Sequence, residues 1–333
     1  MVSNKKSVVA EDEINLDEYM ASLGKRIDDR IDSILEKYDF MEFIAPIRLA
    51  MVGKAGGKKL RPTIATLICQ ALGGKDDDNT LEVSVIVELI HQGSLVLDDI
   101  LDGDKERRGK PSLWMVENIG KSSIVGLIMF LGANKIGIHR VPRAERLVME
   151  TVENMAKGNQ VDIAGFGWDE KKYMDMIYLK TAYLYGAAAK FGAIMSDAND
   201  SITGTAFEYG RNVGMLYQLT DDLTDILKSQ KNEMLIGDMR RGKVTLTQID
   251  MFNRDKAAQK FLERYSRREI TADELTAFFK IDEKTHSVKY VEDRINAFKS
   301  ASNASLSAFP NNKYTRALKV LPDYMHDALM KEV

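Results

Sequence analysis

Residues 81–102 read LEVSVIVELIHQGSLVLDDILD, and this stretch decides the fold. It is apolar over most of its length, yet it carries Glu88, His91, Asp98 and Asp99. A membrane span needs about 20 residues almost free of charge, so the stretch reads as a buried helix with an acidic end. Outward from it, strict alternation of apolar and polar residues is rare, whereas helical spacing recurs, as at Ile27, Ile31, Ile34, Leu35 and Tyr38. Only six prolines interrupt the chain. The expectation is an all-α protein. Breaks are expected near residues 53–57, 73–80, 103–112, Pro142, 196–205 and 235–242, where turn-forming residues collect. Thr271 with Glu274 reads as a capping box, and Ala308 to Asn312 as a loop. Ser122 to Ala133 is the other strongly apolar segment; at about half the length of a span it reads as a second buried helix.

Composition narrows the function. With 333 residues, 44% hydrophobic and 29% charged, the chain can bury a core without staples. Lys+Arg 47 nearly balances Asp+Glu 50, which argues against nucleic acid as the partner. The single cysteine, Cys69, excludes intrachain disulfides and multi-cysteine metal sites, and suits a reducing compartment. His91, His139, His286 and His326 lack metal-ligand spacing. No linker-like segment appears, so one domain over residues 15–333 is expected, with residues 1–14 a frayed tail. The first residues lack the apolar stretch of a secretory signal, and no transmembrane segment is read, so the expected location is the cytoplasm.

One short pattern occurs twice. Asp98-Asp99-Ile100-Leu101-Asp102 and Asp221-Asp222-Leu223-Thr224-Asp225 are both DDxxD, each taken to close an apolar helical run. Helical residues four apart are neighbours, about 5–6 Å between Cβ atoms, so each motif pairs its first and last carboxylates. Like charges at that spacing repel, and the dipole opposes acid at a helix C-terminus, so a compensating cation is implied. Carboxylate oxygens suit Mg²⁺, which is held by one or two carboxylates together with substrate phosphates. By contrast Asp76-Asp77-Asp78 follows Gly73-Gly74 with no apolar run before it, and reads as a surface turn.

Basic residues stand near these motifs. Gly56-Gly57-Lys58-Lys59-Leu60-Arg61-Pro62 opens a helix, where free N–H groups favour an anion, and Lys58 and Arg61 at i,i+3 are expected on one face. Arg107 and Arg108 follow the first DDxxD, pointing apart; Lys180-Thr181 and Lys243 are further candidates. Lys59 and Arg241 read as solvated surface residues. Gly120-Lys121-Ser122 resembles the tail of a P-loop, but Met115 stands where its first glycine belongs. His91 lies two turns before Asp98, and its spacing fits a core histidine and a phosphate donor equally.

Together these segments resemble the trans-prenyltransferase (isoprenyl diphosphate synthase) family, most of all its geranylgeranyl and polyprenyl diphosphate synthases. GGKKLRP is similar to the family's GGKRLRP, ELIHQGSLVLDDILDGDKERRGKPS to its first aspartate-rich motif with the following RRGxP, and YQLTDDLTD to its FQxxDDxxD. YLKTAYLYGAAAKFGA is similar to the KTGxL segment and DMRRGKVTL to DLxEGKxTL, in collinear order over about residues 20–250. The resemblance implies a single all-α bundle around a deep apolar cavity, usually a homodimer. It implies that Lys58, Arg61, His91 and Arg108 hold isopentenyl diphosphate. It also implies that Asp98, Asp102 and Asp221, supported by Asp99, Asp222 and Asp225, hold Mg²⁺ on the allylic diphosphate, which Arg107, Lys180, Thr181, Gln218 and Lys243 contact. Asp98, Asp102, Asp221, Lys180 and Arg107 would carry the catalysis. The pattern departs at Leu97, where many members have His, at Asn159, at Ala182, and in a shortened segment between Asp225 and Asp238 in which Lys228 or Lys231 would substitute for a missing lysine.

The implied reaction is ionisation of the allylic diphosphate, attack by isopentenyl diphosphate and loss of a proton, with charge stabilisation the main catalytic contribution. The allylic cation requires a water-free pocket. One turn back from Asp98, about 5.4 Å deeper, Ser94 and Gly93 are small, so the chamber is expected to stay open for a product of geranylgeranyl length or longer. Ile90, Leu89, Ile86 and Met129 or Phe130 are its expected floor, and the alternative is that Gly93 serves close helix packing. Two rival functions share parts of this pattern. A terpene cyclase would use the same ionisation but a different second metal motif, and a non-catalytic regulatory subunit would carry degraded aspartates.

Overall fold

The computed structural model describes residues 13–35, 41–51, 57–165, 167–231, 244–265, 280–331 and 333. Its contacts group into two compact units, one of Met1–Val148, Phe191–Thr203 and Ala308–Leu321, the other of Met149–Lys190, Gly204–Ser307 and Pro322–Val333.

The first unit is built around α4 (Asp78–Asp102), with α1 (Leu16–Leu35), α2 (Met41–Met51), α3 (Leu60–Ala71), α5 (Leu113–Val116) and α6 (Ile119–Arg140). The amphipathic α1 buries Leu16, Met20, Leu23, Ile27, Ile31 and Leu35, the three-and-four spacing of one helical stripe. In α4 every residue from Glu82 to Ile90 is buried, so it is covered on all sides rather than along a stripe. Each fully buried Ile or Leu there contributes about 1.5–3 kcal/mol. Asp77 caps its start by accepting from Asn79 N at 3.0 Å and Thr80 N at 3.1 Å, while Asp76 binds Arg26 at 2.8 Å. The Asp76–Asp78 turn is thus a helix start in which Asp76 and Asp77 are both engaged. At the other end Gly103, left-handed at φ 68, receives the helix just past Asp102.

Two elements differ from the sequence expectation. Glu106–Arg107 and Lys110–Pro111 form a short antiparallel pair, the one strand pair among the described residues; its loop residues Arg108 and Gly109 have φ 52 and 73, as a two-residue hairpin turn requires. And α6 is neither short nor buried on every side. It runs the full 22 residues of Ile119–Arg140, and Ile124, Leu127, Leu131 and Ile138 lie exposed along one face. By length and apolar composition both α4 and α6 could cross a membrane, but α4 is largely buried in the protein. The inner face of α6 meets α4 at two glycines. A Cβ at Gly93 would lie 3.1 Å from Phe130 Cε1 and 3.2 Å from Gly126 O; one at Gly126 would lie 2.9 Å from Leu97 Cγ.

The second unit draws on α7 (Glu145–Ala164), α8 (Glu170–Ile177), α9 (Tyr183–Met195), α10 (Asp200–Lys231), α11 (Leu246–Arg254) and α13 (Ser287–Ser305), with α12 (Lys256–Tyr265) lying between the last two in sequence. Tyr173, Met176, Ala182, Leu216, Leu219, Leu223, Ile249 and Ile295 are among its core residues. A five-residue π-helical turn, Tyr178–Ala182, interrupts the passage from α8 to α9. The second DDxxD does not close a helix as expected: α10 continues past Asp225 to Lys231. Breaks at 73–80 and Pro142 and the loop after Ala308 occur as read, whereas residues 235–242 and Thr271 with Glu274 lie outside the described residues.

Candidate functional site

In the first unit the chemistry gathers at the C-terminal half of α4. Asp98 and Asp102 stand one turn apart in its last turns, both half-buried. Asp99, on another face, is only 4% exposed and accepts from Arg107 Nε at 2.6 Å, with a second guanidinium nitrogen on the same oxygen. Burial pushes the Asp99 carboxyl up, and Arg107 pulls it back only in part. Burial works against the charge on Arg107 as well, but its bond to Asp99 together with the charges of Asp99, Asp104 and Asp98 outweighs that and holds it above its ordinary value. Asp99 thus anchors Arg107.

Two turns up, His91 Nε2 lies 3.2 Å from Arg61 Nη1. Arginine offers only donors, so this nitrogen accepts. Burial, and then the charges of Arg61, Arg108, Arg107 and Lys59, hold His91 well below its ordinary pKa, so the ring is neutral at pH 7. A neutral acceptor thus sits among four cations. Arg108 reaches back to the glycine loop: a Cβ on Gly57, which is left-handed at φ 53, would fall 2.9 Å from both terminal nitrogens of its guanidinium. The glycine provides the space that the arginine fills.

Lys58 and Lys59 are not as the sequence suggested. α3 begins at Leu60, so exposed Lys58 precedes the helix and does not share a helical face with Arg61. Lys59 is not solvated: it is 7% exposed, with Nζ 2.9 Å from Glu88 Oε1 and 3.1 Å from Asp28 Oδ1.

The chain-length candidates lie on the same stretch of α4, Gly93 and Ser94 between His91 and Asp98 and Ile90 just beside His91. Ser94 is buried and donates to His91 O at 2.8 Å, and Ile90 is fully buried. Gly93 faces α6, with Phe130 and Met129 against it. A separate apolar cavity of about 90 Å³ lies among Ile31, Ile47, Leu89, Ile128, Met129 and Gly132.

In the second unit a cavity of about 100 Å³ is lined by Asp162, Tyr173, Lys180, Thr181, Gln218 and Asp222, among others. Gln218 links two of the others: Thr181 donates to its Oε1 at 2.8 Å, and its Nε2 donates to Asp222 Oδ1 at 2.8 Å. The buried Tyr173 hydroxyl donates to the other Asp222 oxygen. Burial, reinforced by Asp222, holds this phenol well above its ordinary pKa, so it remains a donor. Lys180 Nζ is 2.6 Å from Asp162 Oδ2. Lys180 and Thr181 belong to the π-helical turn, which aims both at the cavity. Gly158 on α7 makes room for that turn, since a Cβ there would lie 2.4 Å from Lys180 N. Asp221 and Asp225 are half-buried one turn apart on α10, as is Lys228. Lys243, Asp238, Arg241 and the side chain of Lys231 lie outside the described residues.

Sequence reading missed two members of this group. Asp162 sits in Gly158-Asn159-Gln160-Val161-Asp162, four residues after the glycine that packs on Lys180, and that spacing is a signal for it. Tyr173 reads as a core aromatic and is one, with only its hydroxyl reporting the second role.

The carboxylate pairs suit a hard divalent cation. Their donors are all oxygen, and among the described residues no three His, Cys, Asp or Glu side chains converge into a closed cage. Such pairs leave most of the coordination of Mg²⁺ to phosphate and water, its ordinary habit at phosphate-transfer sites.

The model of the polyprenyl synthetase family matches residues 48–281, well over half of the chain. The short chain isoprenyl diphosphate synthase of Methanothermobacter thermautotrophicus is 34% identical over 221 residues, 63% of this chain and 67% of that one. The geranylgeranyl diphosphate synthase of Methanosarcina mazei is 28% identical over 81% of this chain and 86% of its own. Among solved structures, polyprenyl synthase from Caulobacter crescentus, complexed with calcium and isoprenyl diphosphate, superposes with TM-score 0.80 at 26% identity, over 92% of this chain and 94% of that one. An all-α chain with two DDxxD motifs, a cationic cluster on one and a lysine–threonine–glutamine cluster by the other, it belongs to the polyprenyl synthetase family of chain-elongating prenyltransferases.

Proposed function

We propose that this chain condenses isopentenyl diphosphate with an allylic diphosphate, releasing pyrophosphate, and that its product is geranylgeranyl diphosphate or longer. The observation that carries the reading is the neutral His91 among Arg61, Arg107 and Arg108, two turns from Asp98 on the same helix. That cluster suits a diphosphate, which asks for several positive donors and gains a further contact from a neutral imidazole.

In this reading Lys58, Arg61, His91 and Arg108 hold isopentenyl diphosphate. Arg107, Lys180, Thr181, Gln218 and Lys243 hold the allylic diphosphate, and both aspartate motifs serve that same group. Asp98, Asp102, Asp221 and Asp225, with Asp222 steadied by Tyr173 and Gln218, would hold Mg²⁺, which when bound neutralises charge on the departing pyrophosphate. Arg107 and Lys180, kept in place by Asp99 and Asp162, meet negative charge as the allylic C–O bond breaks. The double bond of isopentenyl diphosphate forms the new C–C bond, and a proton passes from the adduct to the pyrophosphate. Apolar α4 residues such as Ile90 and Ile86 keep water from the cation. Ser94, with no bulk beyond its hydroxyl, and Gly93, with Phe130 beside it, govern how far the product extends. The exposed apolar face of α6 supports a homodimer, for apolar side chains in such a row favour being covered.

Incubating the protein with Mg²⁺, isopentenyl diphosphate and dimethylallyl, geranyl or farnesyl diphosphate, then chromatographing the dephosphorylated products, tests the reading. Linear alcohols of twenty carbons or more support it. Cyclic hydrocarbons, or no turnover with any primer, refute it.

A further inference from the structure

We propose that Lys59 is a positioning residue for isopentenyl diphosphate, holding Lys58 and Arg61 in place without touching the substrate itself. The inference rests on the assignment of those two residues to that substrate.

Three observations single Lys59 out. Its side chain is buried between two carboxylates from different helices, Glu88 of α4 at 2.9 Å and Asp28 of α1 at 3.1 Å. Glu88 is itself 1% exposed and also accepts from Gln92 Nε2 at 2.7 Å. Burial disfavours the lysine's charge, but Glu88 and then Asp28 outweigh it, and the ammonium is held. The backbone of Lys59 is left-handed, φ 51, at the N-cap of α3, a conformation that disfavours any residue with a Cβ. And α1 carries Gly24 at the place where the stem passes, with a Cβ there falling 3.4 Å from Lys59 Cγ.

A buried ion pair is weak evidence for stability, because well-packed apolar side chains stabilise as much or more. Strained backbone and a buried charge at one residue point instead to geometry that must be specified. What lies on either side shows which geometry. Gly57, whose bare Cα admits Arg108, and Lys58 precede it; Arg61, bonded to His91, follows two residues on. Glu88 stands three residues before His91 on α4, nearly one turn. The Lys59–Glu88 bond therefore fixes the start of α3 against the turn of α4 that carries His91. Without it the loop is free to slide along α4, and Lys58, Arg61 and Arg108 lose their common register.

The test measures KM for isopentenyl diphosphate and for the allylic primer in Lys59→Met, Lys59→Arg and Glu88→Gln, with Arg61→Ala as the direct-contact reference and circular dichroism and melting curves as a check of folding. Glu88→Gln keeps shape and an acceptor for Lys59, and serves if Lys59→Met does not fold. Expected are a rise of tenfold or more in KM for isopentenyl diphosphate in Lys59→Met or Glu88→Gln, a primer KM within twofold of the parent, and recovery to within threefold in Lys59→Arg. Both KM values unchanged, or both moving together, overturns the positioning role. If Arg61→Ala leaves the isopentenyl diphosphate KM unmoved, it is the underlying site assignment that fails.

Discussion

Replacing Tyr173 with Phe removes one hydroxyl and leaves the ring that fills the core of the second unit. The hydroxyl donates to Asp222, whose other oxygen accepts from Gln218 at 2.8 Å. A hydrogen bond to a charged group contributes about 1.5–3 kcal/mol, and a lost partner of a metal-binding carboxylate lowers metal affinity about 10–100-fold. Asp222 keeps Gln218 as a donor, so a tenfold rise in half-saturating Mg²⁺ is the expected size, at the lower end of that range. The assay is initial rate against MgCl₂ at saturating substrates, with a melting curve to confirm folding. The KM for isopentenyl diphosphate, assigned to Arg61 and His91, should hold. A folded variant with unchanged Mg²⁺ dependence would refute the reasoning and return Tyr173 to a packing role alone.

Other outcomes follow from the same geometry. Phe130→Ala, which opens the space beside Gly93, is expected to lengthen the product by at least one isoprene unit, read by chromatography; an unchanged spectrum removes Phe130 from the floor. For pH, the native His91 resists protonation while the unfolded chain accepts a proton near its ordinary value of about 6.5. Its contribution to stability is therefore full above that pH and declines as pH falls below it, by up to about 1.4 kcal/mol per pH unit, and His91→Asn flattens the slope between pH 6.5 and 5 in urea unfolding. Leu127→Glu with Leu131→Glu, on the exposed face of α6, is expected to convert a dimer to a monomer in sedimentation; an unchanged mass places the dimer contact elsewhere.

What could be read from the sequence was what local pattern controls. α4 announces itself by an apolar run with an acidic end and a glycine beyond it, and both DDxxD motifs, the glycine loop and the two arginines are contiguous signals. The remainder depends on partners distant in the chain. Lys59 looks like any surface lysine until Glu88, twenty-nine residues on, takes its charge out of water. Mean apolarity marks α6 as a helix without saying that one face is uncovered. The π-helical turn at Tyr178–Ala182 exists against Gly158 of another helix, and a hairpin of two residues a side is too short to show a period. The end of the second motif was misplaced because Ile226-Leu227-Lys228 carries the helical pattern straight through Asp225.

The central claim is that the two aspartate motifs act on one allylic diphosphate. Single-turnover elongation of labelled isopentenyl diphosphate by Asp98→Ala, Asp221→Ala and the double variant tests it most directly. If both motifs serve one leaving group, each single variant should lose about 10²–10³-fold or more in rate, and the double variant should lose far less than the product of the two. Near-parental elongation in either single variant, or losses that simply multiply, would contradict the account.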